Sequence, residues 1–122
     1  MDTLTVTGLK IKTTIGCLDW EKVIMQPLLL DFQIHYDNTV PGQSDALHDA
    51  FDYDALSAQI RAKMILEKNN LIETVAEKLA SWLLEDGRIK ELRLTVHKKN
   101  AIADCQDISV SITRTRPHAF LE

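Results

Sequence analysis

Four residues of this sequence carry side chains that a purely structural account leaves without an obvious role, namely Glu21, Tyr53, Glu73 and Lys98. Glu21 closes "TTIGCLDWE", where a run of Thr and Ile reaches Gly16 and then delivers Asp19, Trp20 and Glu21 into a turn. A solvated loop carboxylate and the wall of a ligand pocket both fit that placement. Lys98 ends "LRLTVHK", and strand parity puts it on the apolar side with Leu92, Leu94 and Val96. Either its stem snorkels out from the strand end, or its ammonium has a partner, since lysine is almost never buried alone. A lysine held against apolar surface is also one of the few side chains able to act as a base near neutral pH.

Glu73 and Tyr53 allow two readings each. In "NLIE", Asn70 stands three residues ahead of Glu73, a capping-box spacing, and a first-turn carboxylate complements the helix dipole. The face of Glu73 continues through Ala76, Glu77 and Ala80, and its small residues would admit a planar ligand or another chain. Tyr53 follows Asp52, an N-cap residue type, and an aromatic there either packs or sends its hydroxyl to a polar partner. Carboxylate, lysine and phenol are the groups of general acid–base chemistry.

Other chemistries lack their signatures. His35, His48, His97 and His118 show no HxH, HxxxH or HExxH spacing, and Cys17 and Cys105 stand far apart without a CxxC. No metal and no cofactor is therefore expected. There is no GxGxxG, P-loop or GxSxG. A net charge of -4 argues against a nucleic-acid partner. No apolar run is long enough for a membrane span, and the first twenty residues lack the apolar core of a secretory signal. The expectation is one domain over residues 1–122, cytoplasmic, with reduced cysteines.

Elements to position the four residues follow from periodicity. "TLTVTGLKIKTTIG" alternates apolar and polar residues with a slip near Gly8, where a bulge belongs. In "QPLLLDFQIHYDN", Leu28, Leu30, Phe32, Ile34 and Tyr36 share one face, and Leu29, Asp31, Gln33, His35 and Asp37 the other. Residues 39–52 carry turn chemistry. Leu56, Ile60 and Met64 mark a helix from Tyr53, and Leu71, Val75, Leu79, Trp82 and Leu83 a second running to about Asp86. Gly87 stands where a left-handed C-terminal residue is expected. Period two returns with Leu92, Leu94 and Val96 inward, then with Ile108, Val110 and Ile112. The order β-β-α-α-β-β predicts an α+β fold, a mainly antiparallel sheet with both helices on one face. Such a sheet leaves two open edges and one bare face, so pairing of edges between copies in a ring-shaped homo-oligomer is expected.

The ordered set "TTIGCLDWE", "FDYDAL", "LIETVAEKLA" and "LTVHKKNAIADCQDISVSITR" resembles the dihydroneopterin aldolase family of folate biosynthesis. The resemblance runs from Leu4 to about Arg116. It implies a tunnelling fold, with four chains closing their sheets into a barrel, two rings stacking as an octamer, and active sites between subunits. It implies a pterin substrate, 7,8-dihydroneopterin, cleaved to 6-hydroxymethyl-7,8-dihydropterin and glycolaldehyde, with epimerisation to dihydromonapterin in many members. By the same resemblance Lys98, Tyr53 and Glu21 are catalytic, and Glu73, Glu21, Ile72 and Tyr53 bind substrate. Trp20 is expected to pack its loop. One departure stands out: Lys98-Lys99-Asn100-Ala101 occupies a run where the family has a proline, which frees a φ angle and restores an N–H. Two alternatives accompany this reading. A dihydroneopterin triphosphate epimerase would gather cations such as Lys98, Lys99, Arg114 and Arg116, and a non-catalytic oligomer binding a pterin or purine would keep Glu73 as its anchor.

Overall fold

The computed structural model describes residues 1–116. Two long strands, β1 (Asp2–Ile15) and β2 (Gln26–Tyr36), form a hairpin. A short helix α1 (Thr39–Ser44) leads to α2 (Tyr53–Ile65), then to a two-residue strand β3 (Lys68–Asn69), helix α3 (Ile72–Leu83), and a second hairpin of β4 (Glu91–Lys99) and β5 (Asp107–Thr115). The sheet order is β3-β1-β2-β4-β5. All pairings are antiparallel except β1 with β3, where Thr14 faces Lys68 and Ile15 faces Asn69. A two-residue bridge has no periodicity, and that is why the sequence predicts four strands and the sheet has five.

The alternating residues of β2 explain the core. Leu28, Leu30, Phe32 and Ile34 are buried, joined by Ile11 and Ile15 of β1 and by Leu92, Leu94 and Val96 of β4. Helix α2 lays Ile60 and Met64 on this surface, and α3 lays Ile72, Val75, Ala76, Leu79, Ala80 and Leu83. The opposite sheet face is polar, carrying Asp31, Gln33 and His35 on β2, Arg93, Thr95 and His97 on β4, and Ser109, Ser111 and Thr113 on β5. The register slips between Val6 and Leu9, as the sequence pattern predicts. Gly8 takes the left-handed φ of 72° there and donates its N–H to Asp31 Oδ1 at 2.6 Å.

Three local expectations are corrected. Leu71, not Asn70, is the N-cap of α3, and among the described residues no side chain caps that end, so the capping box of Asn70 and Glu73 does not form. Leu71 itself is exposed, as is Ile108 on the outer strand. Gly87 is not in the left-handed region, because the chain leaves α3 through a right-handed Leu84. A Cβ on Gly87 would stand 2.9 Å from Arg116 Nη1, the movable end of that side chain.

Candidate active site

The site begins where β1 ends. After Ile15 the chain turns at Gly16 and enters a single helical turn, Glu21–Val23, with Glu21 N–H on the Leu18 carbonyl at 3.0 Å. This turn sends the Glu21 carboxylate back beneath the strand end, leaving its side chain only 10% exposed. Gly16 has φ of 132°, and a Cβ built on it would overlap the Glu21 carboxylate. Glycine is therefore required twice, for its φ and for the space the carboxylate fills.

Three donors meet that carboxylate. Lys98 Nζ donates to Oε2 at 2.7 Å, Gln26 Nε2 donates to the same oxygen at 3.2 Å, and Leu18 N–H reaches Oε1 at 3.3 Å. Gln26 Nε2 is also within 2.9 Å of the Ile15 carbonyl, so one amide ties the carboxylate to the end of β1. The Lys98 hydrogen bond, then that of Gln26, hold the Glu21 carboxyl down at about 2 against the opposing effect of burial. Glu21 is thus a fixed anion. Lys98 lies on the apolar face, as its parity predicts, but its ammonium does not snorkel to water; it sits on Glu21.

The start of α3 is stitched to the same place. Gly16 N–H donates to the Asn69 carbonyl at 3.1 Å, and Cys17 Sγ lies 3.7 Å from the Asn70 carbonyl. Ile72 and Glu73 open α3 directly after this contact, with Ile72 buried and Glu73 exposed. Among the described residues Glu73 makes no side-chain hydrogen bond or ion pair, and the first N–H groups of α3 have no side-chain cap. A free carboxylate beside uncapped N–H groups offers acceptors and donors on one edge, which is what a planar heterocycle with mixed polar edges requires.

One chain thus brings Glu21, Lys98, Ile72 and Glu73 to one end of the sheet. It does not bring Tyr53. Asp52 caps α2 through Ala55 N–H at 3.0 Å, as expected. Its neighbour Phe51 packs edge-on against Tyr36, ring centroids 5.2 Å apart, under the Arg88 guanidinium. Tyr36 is the last residue of β2 and Gln26 the first, so the length of an eleven-residue strand separates the two ends, about 35 Å. Tyr53 is 64% exposed at the far end. Trp20 is 57% exposed and does not pack its loop as expected.

The cation cluster expected of a triphosphate enzyme does not assemble. Arg114 pairs with Glu77 of α3 at 2.6 Å and sits opposite Leu92, while Lys98 sits opposite Ile108. Six residues of strand, about 20 Å, divide them. Arg116 turns to the carbonyls of Leu84 and Glu85. No three His, Cys, Asp or Glu side chains among the described residues are placed to share a metal, and His118 lies outside those residues.

Gln26 escapes the sequence pattern, since nothing about a glutamine at a strand start signals a bond to a carboxylate five residues earlier. The pairing of His97 with Asp31 and Asp107 is also unannounced by any local spacing, although parity places Asp31 and His97 on the same sheet face.

Comparison with known proteins bears on most of the chain. The family model described as dihydroneopterin aldolase matches residues 4–113. The dihydroneopterin aldolase of Escherichia coli is 31% identical over 114 residues, covering 93% of each chain. Dihydroneopterin aldolase 1 of Arabidopsis thaliana is 36% identical over 103 residues, covering 81% of this chain and 68% of its own. The crystal structure of the E. coli enzyme in complex with neopterin superposes with a TM-score of 0.88, at 31% identity, over 93% of this chain and 99% of the other.

Proposed function

This chain belongs to the dihydroneopterin aldolase family, a carbon–carbon lyase family of folate biosynthesis, and from that membership we propose how its residues divide the work. The substrate is 7,8-dihydroneopterin. The observation that carries the assignment is the ion pair of Lys98 and Glu21 beside the uncapped start of α3.

Cleavage requires a base for the side-chain hydroxyl and a sink for the electrons of the breaking C–C bond. The dihydropterin ring supplies the sink through its own C=N bond, so the protein contributes protons and position, with no metal or cofactor needed. An ammonium has no lone pair, so Lys98 first releases one proton to water and then, as the neutral amine, takes the hydroxyl proton; glycolaldehyde departs, leaving an enamine. Glu21, fixed as an anion, cannot donate a proton; it orients Lys98 and faces the hydroxylated side chain. Glu73 accepts from the 2-amino and ring N–H groups of the pterin, a bidentate contact stronger than a neutral hydrogen bond. Ile72 presents its backbone and buried side chain beside the ring. Tyr53, brought by a neighbouring copy, helps protonate the enamine carbon to give 6-hydroxymethyl-7,8-dihydropterin. The E. coli relative binds neopterin, which supports the pterin class.

The same separation of Tyr53 from Lys98 supports assembly. Among the described residues the outer edge of β5 and most of that of β1 are unpaired, and pairing edges between copies closes a ring of four, two of which stack as an octamer. Among the described residues no helix is long and apolar enough to cross a membrane, and a cytoplasmic location fits a folate enzyme.

The test is incubation of the protein with 7,8-dihydroneopterin in EDTA, with assay of glycolaldehyde and 6-hydroxymethyl-7,8-dihydropterin. Formation of both products, abolished in Lys98→Ala, upholds the reading. Conversion to the monapterin epimer without cleavage, or a Lys98→Ala protein with undiminished turnover, refutes it.

A further inference from the structure

His97 precedes Lys98 on β4 and points to the opposite, polar face of the sheet. There it sits between two carboxylates, its Nδ1 2.6 Å from Asp107 Oδ2 and its Nε2 2.7 Å from Asp31 Oδ2. An ionised carboxylate only accepts, so each contact needs an N–H on the ring. Both together need the imidazolium. Asp107 first, and then Asp31, raise the pKa of His97 above its ordinary value against the effect of burial.

One carboxylate has a second partner and the other has its backbone held, while Asp107 Oδ1 is buried with no hydrogen-bond partner among the described residues. The other oxygen of Asp31 accepts from Gly8 N–H in the β1 bulge at 2.6 Å, and the Asp107 carbonyl lies 3.3 Å from Cys105 Sγ. Asp107 opens β5 directly across from Lys99. The bridge therefore ties the β1 bulge, β2, β4 and β5 within one residue of Lys98. The hairpin loop that follows offers little restraint. Asn100 and Asp104 adopt left-handed conformations, and one backbone bond, Asn100 N–H to the Gln106 carbonyl at 3.3 Å, closes it. The remaining groups facing the imidazole are few. Leu29 of β2 and Ser109 of β5 lie directly opposite; Thr95 and Lys99 flank it along β4; Lys10 of β1 stands one strand further, across from Leu29.

On the aldolase reading given above, we propose that His97 is a positioning residue for Lys98: its imidazolium, bridging Asp31 to Asp107, holds the end of β4 and the start of β5 in the register that seats Lys98 Nζ on Glu21. A ring that loses one proton turns a lone pair toward an ionised oxygen, and one of the two contacts becomes repulsive. Because the folded pKa is raised, the bridge is complete below the ordinary histidine value of about 6.5 and is lost as pH rises through the folded value. The rate of cleavage then falls on the alkaline side with the titration of His97.

Two variants and one spectroscopic measurement test this. His97→Gln donates on one side only, whereas His97→Arg donates on several sides and does not titrate. In His97→Gln, kcat is expected to fall about 10- to 100-fold with KM nearly unchanged, the scale of a misplaced catalytic group. His97→Arg should recover much of that loss and remove the alkaline fall. A His97→Gln protein with wild-type kcat and pH profile overturns the proposal. NMR of the 15N-labelled imidazole and lysine ammonium groups reads the coupling without turnover. In the wild type, both ring nitrogens should carry hydrogen below the His97 midpoint, that midpoint should lie above the ordinary histidine value of about 6.5, and the Lys98 signal should move with it. Independent titration overturns the proposal, even if His97→Gln fails to fold. Failure of the aldolase reading shows differently, as absent cleavage while the two signals still move together.

Discussion

Lys98 and Glu21 are 77 residues apart in the chain and 2.7 Å apart in space, and the strands that deliver them are not neighbours. Glu21 follows β1 and Lys98 lies on β4, with β2 between them. The loop after β1 must cross the start of β2 to reach β4, and Gln26, the first residue of β2, is caught in the crossing with its amide on the same carboxylate oxygen. The pair is therefore the joint of three strands, and changes to it separate chemistry from folding.

Glu21→Gln keeps the shape of the side chain and removes the anion. The fold is expected to survive, with a cooperative thermal transition, while kcat for cleavage of 7,8-dihydroneopterin falls about 10²- to 10⁴-fold, the usual contribution of an acid–base group and its partner. Activity within a few-fold of wild type would exclude Glu21 from the machinery.

Acid pH reads the pair through stability. The carboxyl of Glu21 moves from 4.5 to about 2 on folding, so the folded state binds fewer protons than the unfolded chain between those values. Its stabilising contribution is complete above the upper value and is lost as pH falls toward the lower. The gap in urea midpoint between wild type and Glu21→Gln should close progressively over that window. A gap independent of pH there would mean the ion pair does not form in solution.

Gly16 and Gly8 form a matched pair of tests. Both have positive φ, but space around Gly8 is open whereas a side chain on Gly16 collides with Glu21. Gly8→Ala should cost only the backbone strain, about 1–2 kcal/mol, with cleavage retained. Gly16→Ala should lose more stability and nearly all activity, because the carboxylate must leave its seat. Equal effects of the two substitutions on kcat would contradict the geometry.

Tyr53 and Lys98 offer a complementation test of the proposed assembly. Tyr53→Phe and Lys98→Ala proteins, each inactive alone, are mixed, dissociated and reassembled. If each site takes Tyr53 from one copy and Lys98 from the next, about a quarter of the sites in a random ring recover both residues. No recovery from a mixture shown to have exchanged subunits would place both groups in one chain.

Much of this was legible in the sequence because it is periodic. The alternation of Leu28 to Ile34 and of Leu92 to Val96 fixes the buried face, and the slip at Gly8 marks the bulge. The oddity of Lys98 was legible for the same reason, since parity put a charge on an apolar face. What was hidden depends on contacts with no period. The bridge of β3 to β1 is two residues long, Leu71 displaces Asn70 as the cap of α3, and the Gln26 amide finds Glu21 only once the loop has crossed β2. His97 was hidden because its two partners come from different strands, at positions that only the register of the sheet brings together.

The distance between Tyr53 and Lys98 makes concentration a variable of the chemistry. A folded protomer holds both groups but cannot apply them to one substrate molecule, so on the proposed assembly its specific activity should vanish on dilution while its circular dichroism stays constant. Folding and function would then have separate thresholds, the first set by the core under α2 and α3 and the second by how often two copies meet.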